Sequence, residues 1–116
     1  MKESDFLLAL DMLSDNVKEY RRLEINETSG HRLNQLLQQI VSILYSLEKE
    51  RAMYHDQFQT IIKGQVSEGS SVARAENIAH TEVPQLYLMR RIMDAGYEVV
   101  GACRTNISYL KSEMKL

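Results

Sequence analysis

Residues 33–61 read LNQLLQQIVSILYSLEKERAMYHDQFQTI. Leu33, Leu37, Ile40, Leu44, Leu47, Arg51, Tyr54, Phe58 and Ile61 recur here at alternating steps of four and three. An α-helix turns once in about 3.6 residues, so positions spaced this way stack on one face, whereas a strand would alternate in steps of two. The seam stays apolar for about four heptads except at Arg51, the pattern of helices packed in coiled-coil fashion. At about 1.5 Å per residue such a helix is a rod roughly 50 Å long. It cannot bury its seam on itself and needs partner helices.

The flanking sequence supplies them. Downstream, Leu86, Met89, Met93, Gly96, Val100, Cys103, Ile107, Leu110 and Met114 again alternate three and four. Upstream, Phe6, Leu10, Leu13, Val17 and Tyr20 form a shorter stripe behind Ser4, a good capping residue. Asn26-Glu27-Thr28-Ser29-Gly30 has turn chemistry, and Thr28 or Ser29 can cap the second helix. Gly64 stands where a helix-ending glycine belongs. The polar QVSEGSS loop (65–71) follows, with Ser70 or Ser71 capping a short helix through Ala75 and Ala79. Thr81 then caps the last helix, with Pro84 in its first turn. The expected fold is all-α: one domain over residues 1–116, with helices at about 4–25, 30–63, 71–80 and 82–114. A short N-terminal helix packs across a long antiparallel, coiled-coil-like helical hairpin.

Composition agrees. Of 116 residues, 44% are hydrophobic and 26% charged, as in ordinary globular chains. One Pro and five Gly are too few for the turns of a β-sandwich. No apolar run approaches the roughly 18 residues of a membrane span. Met1-Lys2-Glu3-Ser4-Asp5 lacks the apolar core of a secretory leader, so the expectation is a cytoplasmic protein without membrane contact. The single Cys excludes an internal disulfide and a cysteine-based zinc site. Two glycines within six residues, Gly96 and Gly101, point to close approach of another backbone, within the chain or between subunits. Ile43, Ile62, Ile92 and Val99 flank the seams, which leaves spare apolar surface and suggests a homo-oligomer.

Catalytic chemistry is sparse. There is no glycine-rich phosphate loop and no His-Glu-x-x-His helix. Glu76 and His80 are four apart, not the three of di-iron bundles. His31 and His55 read as solvent-facing, and Cys103 lies on the seam as a small hydrophobe. The chain therefore reads as a non-enzyme, with no catalytic residue, no metal site and no cofactor. Its net charge of −2 excludes duplex binding through an overall basic field. The charge is uneven: residues 1–30 balance at −3 and residues 84–116 at +2. Lys49, Arg51 and Tyr54 combine cations with a ring, the mixture that binds single-stranded nucleic acid. Arg51 on a seam marks a splayed point, a partner contact, or an ion pair within the bundle, for example with Glu48 or in the neighbourhood of Glu50. Arg90 and Arg91 begin a basic series on the last helix, and Tyr97, Arg104 and Lys111 share one stripe.

From about His31 to Met114 the chain resembles the phage recombination mediators of the UvsY type. The resemblance rests on the Lys-x-Arg-x-x-Tyr stretch at Lys49, Arg51 and Tyr54, the loop at Gly64, and Arg104, Ile107 and Lys111 on the second long helix. It implies a ring-like homo-oligomer in a bacterial host that binds single-stranded DNA, contacts a single-strand-binding protein and helps load a recombinase. Lys49 and Arg51 would correspond to the DNA-binding segment. A second reading is a helical protein-interaction module (an adaptor, a virion component or an inhibitor of a host protein) that binds no nucleic acid.

Overall fold

The computed structural model describes residues 2–114. Met1, Lys115 and Leu116, and the side chain of Met114, lie outside the described residues, so the last seam position and one base of the C-terminal balance are not placed. Four helices are present among the described residues: α1 (Glu3–Arg22), α2 (Gly30–Ser67), α3 (Val72–Glu82) and α4 (Pro84–Met114). No strand occurs among the described residues. The chain forms two compact units. The first holds α1, α2 as far as Leu47, and α4 from Ile92; the second comprises Glu48–Arg91.

In the first unit three helices share one core. Phe6, Leu10, Leu13 and Val17 are the buried face of α1, as the spacing predicts. On α2 the buried row is Leu33, Leu36, Ile40, Leu44 and Leu47. Leu36 is fully covered, whereas Leu37, which the strict seam selects, is only partly buried. A helix that packs on two neighbours buries a stripe wider than a coiled-coil seam, and that width takes in Leu36. Gly96 of α4 is the point of closest approach: a Cβ there would lie 3.1 Å from Leu13 Cδ1 and 3.3 Å from Leu44 Cδ2. What approaches this glycine is the side chains of Leu13 and Leu44 of the same chain, where the sequence had suggested another backbone. Gly101 differs, since a Cβ there would meet nothing within 4 Å. Polar contacts tie the same helices. Asn106 Nδ2 donates to the Tyr20 hydroxyl at 2.8 Å, and Arg32 pairs with Glu19. The Arg32 hydrogen bond holds the Glu19 carboxyl below its ordinary pKa, and Glu19 in turn raises that of Arg32.

The second unit is built on Phe58, Ala79, Val83 and Leu86, with Tyr54, Ile61 and Ile62 packed against them. Of the flanking residues expected to leave spare apolar surface, Val99 is buried and Ile43, Ile62 and Ile92 are partly buried, Ile62 against this cluster. The large exposed apolar side chains on α1 are Leu7, Leu8 and Met12.

Several boundaries differ from those expected. α1 begins at Glu3, behind the extended cap residue Lys2, whose carbonyl accepts from Phe6 N–H at 3.0 Å, so Ser4 lies inside the helix. It ends at Arg22, because Leu23 is already extended and the Asn26 turn follows. Ser29 precedes α2, but its hydroxyl turns back to the Asn26 carbonyl at 2.8 Å. α2 runs through Gly64 to Ser67. Gly64 adopts helical geometry, which glycine weakens by about 1 kcal/mol without forbidding. The left-handed residue is Gly69, with φ 99°. Gly69 N–H donates to Val66 and Ser70 N–H to Gln65, at 3.1 and 3.0 Å, the two bonds of a Schellman cap. Ser71 caps α3 by accepting from Arg74 N–H. Thr81 does not cap α4. It lies inside α3, with its hydroxyl donating to the Asn77 carbonyl. The break falls at Val83, which the ring of Pro84 excludes from helical geometry. Gly69→Ala is expected to lower stability by about 1 kcal/mol, since a Cβ is strained at that φ. Gly64→Ala is expected to raise it. Urea unfolding midpoints of the two variants give the comparison.

Candidate nucleic-acid interface

The five residues singled out from the sequence fall in different units. Lys49, Arg51 and Tyr54 belong to the second, and Arg104 and Lys111 to the first. On α2, Lys49 is exposed, but it stands two residues from Arg51, so the two point to different flanks of the helix. Arg51 and Tyr54, three apart, share a flank. The Tyr54 ring packs on the Phe58 cluster instead of standing open as a stacking platform.

Arg51 is neither buried nor aimed into the core. It pairs with Glu48 at 3.1 Å, and the two side chains are 32% and 39% exposed. The pair borders an open cleft of about 430 Å³ within the second unit. Glu48, Arg51 and His55 line it from α2, and Leu86 and Arg90 from α4. Spacings of three and four build each wall, since Glu48, Arg51 and His55 follow one face of α2 and Leu86 and Arg90 one face of α4. The seam departs from apolar character at Arg51 because a cleft opens there. Two guanidinium groups with one carboxylate leave the cleft cationic at neutral pH. An exposed ion pair contributes only about 0–1 kcal/mol, so an incoming phosphate can compete for Arg51, whose fork matches two oxygens at once.

Sequence reasoning placed Arg90 in the basic series but did not join it to Arg51, and it read His55 as solvent-facing, as it is, without setting it beside Arg51. The four-residue step from Arg51 to His55 was the available signal. The pairing of α2 with α4 at this level was not, because it depends on packing between distant segments.

On α4 the Tyr97, Arg104 and Lys111 stripe is exposed as expected. Cys103 is buried, and that burial pushes its thiol pKa up, so it remains an inert thiol. His80 is exposed, and its ring meets Phe58 edge-on with centroids 4.8 Å apart. Among the described residues no three His, Cys, Asp or Glu side chains converge to hold a metal ion, and no helix is long and apolar enough to cross a membrane. Comparison with protein-family models, curated proteins and solved structures finds no match in any of the three.

Proposed function

We propose that the protein is a non-enzymatic helical accessory factor of phage or mobile-element DNA recombination or replication, which binds single-stranded DNA weakly along its backbone. The observation that supports this reading is the cationic cleft that joins Arg51, Arg90 and His55. Lys49 in the second unit, and Arg104 and Lys111 in the first, are further proposed phosphate contacts, each exposed, while Tyr54 is held in the Phe58 cluster. The α2–α4 antiparallel hairpin belongs to the same reading. In the first unit it is supported by Gly30 beside Leu110 and Leu44 beside Gly96, where residue numbers run in opposite directions. A homo-oligomeric state, cytoplasmic location in a bacterial host, and contact with a recombinase or single-strand-binding protein are further parts of the proposal.

The test is fluorescence anisotropy of a labelled single strand at low and moderate salt, with a duplex control. The expected result is salt-sensitive binding that prefers the single strand. Lys49→Ala with Arg51→Ala weakens it and lowers the log–log salt slope by about 0.7 for each phosphate that is no longer neutralised. Arg90→Ala acts in the same direction. An unchanged slope in these variants counts against the assignment.

The second reading, a protein-interaction module without nucleic-acid binding, is favoured by Leu8 and Met12, which are 59% and 50% exposed on α1. Absence of DNA binding even at low salt would retire the first reading in its favour.

A further inference from the structure

We infer that Tyr87, at the rim of the cleft, stacks on a base of the bound strand. The site then takes up a nucleotide unit, with the phosphate between Arg51 and Arg90 and the base on the Tyr87 ring. The inference rests on the single-strand reading above and adds to it a contact to the base, where that reading has contacts to the backbone.

Phosphate contacts do little to tell a single strand from a duplex, because both carry the charge. What an unpaired base offers and a paired one withholds is its open π-face, and an aromatic side chain is the group that reads it. The sequence pointed to Tyr54 for this part, but its ring packs on the Phe58 cluster. The second unit, which contains the cleft, has Tyr54, Phe58 and Tyr87 as its aromatic side chains. Phe58 is buried, whereas Tyr87 is 64% exposed.

Tyr87 also stands in reach of the cleft. Leu86 and Arg90, four apart, form the α4 wall. Tyr87 follows Leu86 by about a quarter turn of the helix. Around the axis Arg90 falls between the two, with Leu86 on the cleft side and Tyr87 on the outer side. Arg90 is three residues from Tyr87 and Arg91 four, so the ring and both guanidinium groups share one flank, and all three residues are exposed. A phosphate held by Arg51 and Arg90 leaves its sugar and base to turn outward over that flank. Arg91 is placed for the next phosphate.

Rings interleaved with cations bind single strands with little regard to sequence. The charge at this rim is modest. Glu48 belongs to the cleft lining, and Asp94 follows Arg91 by three and Arg90 by four. Stacking does not draw on net charge, so the base contact supplies a part of the binding that salt does not screen.

The experiment compares two labelled strands of equal length and charge by fluorescence anisotropy with the full chain. One is oligothymidylate, and the other carries the same sugar–phosphate backbone without bases. The expected result is that oligothymidylate binds about tenfold more tightly, the order expected for one stacked base. Tyr87→Ala lowers its affinity to that of the abasic strand, while the circular dichroism melt shows a folded chain. Tyr87→Trp keeps the preference. It gives the chain its first tryptophan, and the fluorescence of that ring is quenched by oligothymidylate and not by the abasic strand. Arg90→Ala weakens both strands and lowers the salt slope of each. Equal binding of the two strands would overturn the base contact and leave the backbone reading standing. A preference that survives Tyr87→Ala would overturn it as well, by placing the ring elsewhere. Binding of neither strand at low salt would overturn it together with the reading on which it rests.

Discussion

Leu36→Ala is expected to destabilise the protein by about 2–5 kcal/mol, the range for deleting a leucine from a closed core. Leu37→Ala, one residue along, should cost about 1 kcal/mol or less. Leu36 has no exposed surface, whereas Leu37 is partly open to solvent. The two side chains are chemically identical and differ only by about a quarter turn around α2. Truncating the first leaves a cavity that three helices must close over. Truncating the second removes a part-exposed edge. Urea unfolding of the two variants, compared by midpoint at unchanged slope, measures the difference directly. Equal costs would mean that Leu37 is covered as fully as Leu36, and a larger cost at Leu37 that α2 buries the narrow seam.

Gly96→Leu is the second large effect. A single Cβ at this position already comes within 3.1 Å of Leu13 Cδ1 and 3.3 Å of Leu44 Cδ2. A leucine adds three further carbons between side chains that are themselves covered by neighbouring helices. Overpacking of this kind costs about 1–3 kcal/mol, and more where the surrounding backbone cannot yield. The control lies five residues along the same helix. Gly101→Ala adds a methyl group in open space and is expected to raise stability by up to about 1 kcal/mol through helix propensity alone. Thermal melts should therefore move in opposite directions for the two glycines. A Gly96→Leu melt indistinguishable from wild type would remove the close three-helix contact from the description of the core.

Much of the fold was legible because helix formation is local. The four-and-three spacing of Phe6, Leu10, Leu13 and Val17 states which face of α1 is buried before any partner is known, and that face is the one covered. Ser71 as a cap, and the break beside Pro84, are equally local: one follows from a hydroxyl within reach of the next turn, the other from the geometry of the proline ring. The candidate site was legible only in fragments. Arg51 stood out as a charge on an apolar seam, which correctly marked a departure from simple packing. Its cleft partner Arg90 lies 39 positions away in sequence, beyond the range of any periodicity.

The spacing of apolar residues along each segment was thus sufficient to make this chain four helices, because a turn of helix is closed by hydrogen bonds between near neighbours. Tertiary structure decided the rest. It chose Leu36 over Leu37, since burial depends on how many helices press on a face. It moved the end of α2 from Gly64 to Ser67, with Gly69 as the left-handed residue of the cap, since either glycine can adopt that conformation and the sequence does not say which one does. It separated two similar glycines, closing a core over Gly96 and leaving Gly101 open, since the space around a residue is set by the segments that fold against it.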